Sequence, residues 1–237
     1  MQTTPTGSEV KILFIGNSYT SRNNLPRLLV DLAAQGDQPR TVHTESIVAG
    51  GASLRRHWNA GKARHVIERR SWRYVVLQEQ STLPVKNAQR YHENVRLFAT
   101  EIAAHGARPV LYLTWARQSA PATQDVITRA VAGIAAEVDG LVVPVGTAWE
   151  RALRDMPELR LYTEDGSHPT AAGSYLAACV FHIALFGDGV SDESVASALK
   201  LDGVAAHKLQ AIALACCVPE ELSRQKVAQS SDTPPPR

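Results

Sequence analysis

The sequence predicts an α/β protein: a three-layer α/β/α sandwich in which helices cover both faces of a five-stranded parallel sheet. Three observations predict it. Short apolar runs recur along the chain, each followed by a longer segment with apolar residues three and four apart, which is the pattern of repeated βα units. The runs are rich in Val, Ile and Leu, as strands buried on both faces are. The 237 residues suffice for one substantial core and are few for two ordinary domains.

The elements follow in order. The first strand is Val10–Ile15, and the chain leaves it through Gly16-Asn17-Ser18. A helix is predicted over Leu25–Gln35, then a second strand over Val42–Val48 and a third over Tyr74–Leu77. Helical periodicity returns in Ala88–Gly106, before a fourth strand at Pro109–Thr114, and again in Pro121–Gly140, before a fifth at Leu141–Val145. Both of these helices run to a glycine, a common helix terminus, and Pro121 suits a first helical turn. Thr147–Met156 reads as a further helix, followed by an irregular stretch to His168 and by helices over Thr170–Gly187 and Gly203–Val218. We expect a single domain over residues 9–222, between a flexible N-terminal tail (1–8) and a disordered Pro-rich tail (223–237).

Composition narrows the function classes. With 44% hydrophobic and 20% charged residues, the chain reads as a globular protein. A net charge of +2 gives no electrostatic ground for binding nucleic acid or an anionic membrane. The short basic clusters Leu54–Trp58 and Glu68–Arg73 read as solvated helix faces. Three cysteines, Cys179, Cys216 and Cys217, cannot build a disulfide framework, so a reducing compartment is expected. The eight histidines show no HExxH or similar pair, and no metal site is expected. The stretch MQTTPTGSEV has neither a basic nor an apolar leader region, and no apolar run approaches the length of a membrane span. The expectation is a cytoplasmic protein without membrane insertion, with a secreted protein whose signal has been removed as the alternative.

The chemistry-bearing residues lie where strands end, the place at which doubly wound sheets bind ligands. Ser18 follows the first strand directly, where its hydroxyl can be exposed and its own N–H can face a developing oxyanion. The alternative is a purely structural helix cap. In TEDGSHPTAAG, Asp165 and His168 stand three apart, and Pro169 favours an extended His168 followed by a helix start. Such a turn sets the carboxylate against Nδ1 and frees Nε2 to take a proton. The alternative is a self-capped Asp-Gly turn beside a solvent-exposed histidine. Together the two pieces name a nucleophile, a base and an orienter. Candidate oxyanion donors follow the second and third strands: the backbone at Gly50-Gly51 in VAGGASL, and the carboxamide of Gln80 in LQEQS. Tyr19, Trp115 and Arg117 are candidates for the mouth of a substrate pocket, with aromatic packing as the other account of Trp115.

This set resembles the SGNH (GDSL-like) hydrolase superfamily. Ser18 in FIGNSYT resembles its first motif block, with Asn17 where many members carry Asp. Gly51 in GGAS resembles the glycine of the second block, with Gly50 as the alternative match. The third block usually reads Gly-x-Asn-Asp, and Gln78-Glu79-Gln80-Ser81 stands here, so Gln80 replaces the usual Asn as donor and Gln78 is the fallback. DGSHPT resembles the last block and supplies Asp165 and His168. The resemblance implies a flavodoxin-like strand order of 2-1-3-4-5. It further implies a serine esterase that works through an acyl-enzyme on a small-molecule ester, with no metal or organic cofactor. Short stretches between the blocks favour a shallow site for a short acyl group, such as acetyl on a sugar. The alternatives are a lysophospholipase or thioesterase of the same superfamily, and a flavodoxin-like phosphate- or nucleotide-binding module without catalysis. The oligomeric state is not set by the sequence.

Overall fold

The computed structural model describes residues 9–191 and 193–217. The expected tails at 1–8 and 223–237, and the domain end at 222, lie outside the described residues.

The chain forms β1 (Val10–Gly16), α1 (Ser18–Ser21), α2 (Leu25–Gln35), β2 (Val42–Val48), α3 (Leu54–Ala60), α4 (Lys62–Arg69), β3 (Tyr74–Leu77), α5 (Leu83–Lys86) and α6 (Ala88–Ala104). It continues with β4 (Arg108–Tyr112), α7 (Gln124–Glu137), β5 (Leu141–Val143), α8 (Val145–Asp155), α9 (Ala171–Phe186), α10 (Ser194–Ala198) and α11 (Gly203–Cys217). Short 3-10 turns at Arg22–Asn24 and Pro121–Thr123 precede α2 and α7. The five strands pair in parallel in the order 2-1-3-4-5.

Period-two alternation along β1 sorts the core into two halves. Ile12 and Phe14 face a cluster built with α2, α8, α9 and α11, and Leu13 and Ile15 face one built with α3, α4, α6 and α7. All four side chains are fully buried, which is why the strand reads as an unbroken apolar run. The helix α9 is buried around most of its circumference, from Ala172 to Ile183, because α2, α8 and α11 surround it. Among the described residues, no helix is long and apolar enough to cross a membrane.

Register positions the site. Gly16 at the end of β1 lies opposite Val48 at the end of β2, and Ile15 pairs with Leu77 at the end of β3. The three chains therefore leave the sheet at one level, bringing Asn17-Ser18, Ala49–Gly51 and Gln78–Gln80 to the same rim.

Several boundaries differ from expectation for local reasons. The fifth strand stops at Val143, not Val145, because Pro144 has no N–H to extend the ladder and α8 starts at the next residue. The fourth strand runs Arg108–Tyr112, one residue earlier at its start and two at its end than expected. The basic clusters are only partly solvated: Arg56, Arg69 and Arg70 are exposed, whereas His57 and Trp72 are buried. The helices α3 and α4 around them meet at Gly61, whose φ of +75° is the left-handed conformation that suits glycine.

One buried group predicts a pH dependence of the fold's stability. His182 of α9 is fully buried, with Nε2 3.3 Å from Asp188 Oδ2, while Asp188 Oδ1 accepts from Arg40 at 2.6 Å. Burial pushes the imidazole below the ordinary histidine value, outweighing the nearby carboxylates of Asp188 and Asp37. As pH falls through the ordinary histidine range, the unfolded chain takes up a proton that the native state resists, so the stability contributed by His182 is present at neutral pH and lost on acidification. The advantage in melting temperature of wild type over His182→Asn is therefore expected to be larger at about pH 7.5 than at about pH 5.5. An equal advantage at both would show that His182 does not titrate differently on folding.

Candidate active site

The Ser18 segment is held by the Asn17 side chain and by Gln78, which follows β3. Asn17 caps α1, its Oδ1 accepting the Tyr19 N–H at 3.1 Å, while its own N–H donates to Gln78 Oε1 at 2.8 Å. The carbonyl of Gly16 accepts from Nε2 of His57 at 2.8 Å, and burial lowers that imidazole's pKa, favouring the neutral Nε2–H form. Gly16 is required by close approach, since a Cβ there would stand 2.6 Å from Gln78 Oε1 and 2.7 Å from Thr20 Oγ1. Ser18 is thereby presented half-buried at the start of α1, where first-turn N–H groups have no intrahelical acceptor.

Residues 163–168 form a turn closed by the antiparallel bridge Tyr162–Pro169, with Thr163 N–H donating to His168 O at 2.9 Å. Gly166 turns the chain at φ +63°. Asp165 Oδ1 accepts the backbone N–H groups of Ser167 and His168 and the Thr163 hydroxyl, each at 2.9 Å. Its Oδ2 accepts from His168 Nδ1. These bonds, led by the imidazole, hold the Asp165 carboxyl well below the usual carboxylate range. With Nδ1–H given to Asp165, Nε2 of His168 is the acceptor, and it lies 2.8 Å from Ser18 Oγ. The two ends of this contact are 150 residues apart in sequence.

Two clasps join the Ser18 segment to the residues on either side of His168. Tyr19 OH is hydrogen-bonded to Ser167 Oγ at 2.6 Å. Asn23 Nδ2 reaches Pro169 O (3.2 Å), Thr170 O (3.0 Å) and Ser174 Oγ (2.9 Å). Behind them stands a column of rings: Tyr19 stacks on Trp115 at 4.7 Å and Trp115 on Trp149 at 3.8 Å, and Trp115 Nε1 donates to Ser167 O at 2.9 Å.

Two expectations for substrate contact are therefore corrected. Tyr19 and Trp115 are 4% and 1% exposed and cannot line a pocket mouth; they pack behind the serine and the histidine turn. Arg117, the third, is exposed beyond them. Sequence reading passed over Asn23, whose left-handed backbone (φ 51°) aims the clasp; the signal was the Asn23-Asn24 pair, a residue type that tolerates this conformation. It also passed over Glu79.

The donor candidates separate as well. Gln78 is fully buried, with Oε1 accepting from Asn17 N–H and Thr20 Oγ1 and Nε2 donating to Glu79 O at 2.5 Å, so the fallback has no uncommitted donor for the site. Gln80 is partly exposed; its Oε1 accepts from Thr82 N–H and Oγ1, and among the described residues no acceptor engages its Nε2. Gly51 is exposed with φ +62°, and the adjacent Ala52 O accepts Asn17 Nδ2 at 3.0 Å. A 380 Å³ cavity lies beside the turn, lined by Gln118, Tyr162, Thr163 and Glu164 among others, but neither Ser18 nor His168 lines it. Among the described residues, no group of three or more His, Cys, Asp or Glu is placed to hold a metal ion.

No family model matches the chain, and no curated protein matches it. Solved structures do. A candidate SGNH hydrolase from Slackia heliotrinireducens superposes with a TM-score of 0.64 at 28% identity, over 75% of this chain and 100% of that one. A DUF4886 family protein from Bacteroides uniformis gives 0.68 at 19% identity, over 87% of this chain and 94% of that one. Axe2, an acetylxylan esterase from Geobacillus stearothermophilus, gives 0.63 at 19% identity, over 76% and 95%.

Proposed function

Given that the chain has the fold shared by SGNH hydrolases, we propose that it is a serine ester hydrolase with Ser18 as nucleophile, His168 as general base and Asp165 as orienter. The observation that carries this reading is the unbroken relay from Asp165 through the imidazole to Ser18 Oγ, the last link 2.8 Å long. Ser18 attacks the ester carbonyl, and His168 Nε2 takes the hydroxyl proton and returns it to the departing alcohol. Asp165, ionised across the physiological range, stabilises the imidazolium while that proton is held. The N–H groups of Ser18 and Gly51 and the free Nε2 of Gln80 are the donors for the tetrahedral oxyanion. Water then attacks the acyl-enzyme by the same proton path in reverse. A phosphate-binding module accounts for the turn at Gly16–Ser18 but leaves the Asp165–His168 pair without a role.

For the substrate we propose a short acyl group, acetyl on a carbohydrate, with Arg117 at the approach to the site. The similarity to an acetylxylan esterase and the short exits from β1, β2 and β3 support it. A fluorophosphonate probe is expected to label the wild-type protein and leave Ser18→Ala unlabelled. Among p-nitrophenyl esters from acetyl to dodecanoyl, kcat/KM is expected to be highest for acetyl, with deacetylation of acetylated xylooligosaccharides as the carbohydrate readout. Equal labelling of wild type and Ser18→Ala overturns the nucleophile. A preference for long acyl chains moves the substrate to the lysophospholipase or thioesterase class.

A further inference from the structure

Glu79 is the one carboxylate among the buried side chains of the described residues, and the reaction just set out does not use it. Oε1 accepts two backbone N–H groups at once, from Leu54 at 3.0 Å and from Gln80 at 2.7 Å. Oε2 accepts from Asn94 Nδ2 at 2.9 Å, and Asn94 Oδ1 accepts in turn from Arg55 Nε at 2.9 Å. Leu54 begins α3, three residues after Gly51, and Gln80 carries the carboxamide donor. A single oxygen thus ties together the two loops that supply oxyanion donors from outside the nucleophile segment.

The glycine loop depends on that tie. No heavy atom lies within 4 Å of where a Cβ would stand on Gly50 or Gly51, so side-chain packing does not fix the loop's tip. Polar bonds fix its flank instead: Asn17 Nδ2 on Ala52 O at 3.0 Å, and Glu79 on Leu54 N–H. Only a carboxylate satisfies all three donors around position 79. A glutamine in the same pose turns Nε2 toward Asn94 Nδ2, donor against donor, and rotating Asn94 to relieve this turns its Nδ2 onto Arg55. Burial raises the Glu79 pKa, and the three N–H donors oppose that rise by favouring the ionised form.

We propose that Glu79 is a positioning residue, whose carboxylate sets the spacing between the Gly51 loop and Gln80 so that their N–H groups converge on the tetrahedral oxyanion. The proposal rests on the serine-esterase reading. Because preorganised donors act on the transition state more than on the bound ester, the loss should appear in kcat and not in KM.

The test is steady-state hydrolysis of p-nitrophenyl acetate by wild type, Glu79→Gln, Gln80→Ala and the double variant, with thermal melts to establish that each is folded. Glu79→Gln is expected to lose at least about tenfold in kcat with KM within about twofold of wild type. The double variant is expected to fall short of the product of the single losses, because both substitutions disable the same donor. If Glu79→Gln does not fold, Glu79→Asp, which withdraws the oxygens by one methylene, must show the same fall in kcat. Wild-type kcat in a folded variant, or fully multiplicative losses, overturns the proposal while Ser18-dependent turnover of the wild type keeps the esterase reading. Turnover that persists at the wild-type rate in Ser18→Ala overturns both.

Discussion

Ser18→Ala is expected to lose at least about 10⁴-fold in kcat on p-nitrophenyl acetate, and His168→Ala to lose nearly as much. The alanine variant keeps the rim and its N–H groups but has no oxygen to attack the carbonyl. Removing His168 leaves that oxygen without a base 2.8 Å away. The two groups act as one unit, so the double variant is expected to be no slower than the worse single one. What survives in each is the modest acceleration from oxyanion donors acting on direct attack by water. Turnover in Ser18→Ala within tenfold of wild type would remove the acyl-enzyme from the mechanism.

Trp115→Ala is expected to cost about 3–5 kcal/mol of stability, close to what deleting a large buried aromatic costs elsewhere. The ring is stacked on both faces, at 4.7 Å by Tyr19 and 3.8 Å by Trp149, and is 1% exposed, so no solvent or neighbour readily fills the space. The same substitution removes the donor to Ser167 O, next to His168, and frees Tyr19, next to Ser18. The folded fraction should therefore also turn over more slowly. Trp115→Phe keeps a ring in the stack while losing the N–H and part of the ring volume, so it is expected to cost less than the alanine variant but more than the ~1 kcal/mol of the hydrogen bond alone. Urea unfolding of the three proteins beside kcat measures both effects. An alanine variant as stable as wild type would show that the column of rings is not what supports the rim.

The strands were legible because each is buried on both faces, which writes an uninterrupted apolar run that needs no knowledge of the neighbours. The ends of the site were legible for a related reason. A serine directly after such a run, and a histidine fixed between Asp165 and Pro169, are placed by local backbone rules. Tyr19 and Trp115 were not, since Tyr19 is covered by Trp115, and Trp115 by Trp149, contributed by α8 more than thirty residues beyond it. Glu79 was hidden by its position, a charge directly after a buried strand whose partners Leu54, Gln80 and Asn94 come from three separate segments. The helices α3 and α4 carried too few apolar anchors to show a period: α4 buries only Ala63 and Ile67.

The 150-residue separation between Ser18 and His168 sets an order of events during synthesis. A ribosome adding about 5–20 residues per second releases the hydroxyl roughly eight to thirty seconds before the imidazole emerges. With Ser18 as the nucleophile proposed above, the nascent chain is expected to hold throughout that interval a serine no more reactive than any other. The Asn23 bonds to Pro169 and Thr170 form only once both segments are present, so an incomplete or prematurely terminated chain is expected to be chemically silent toward the esters around it.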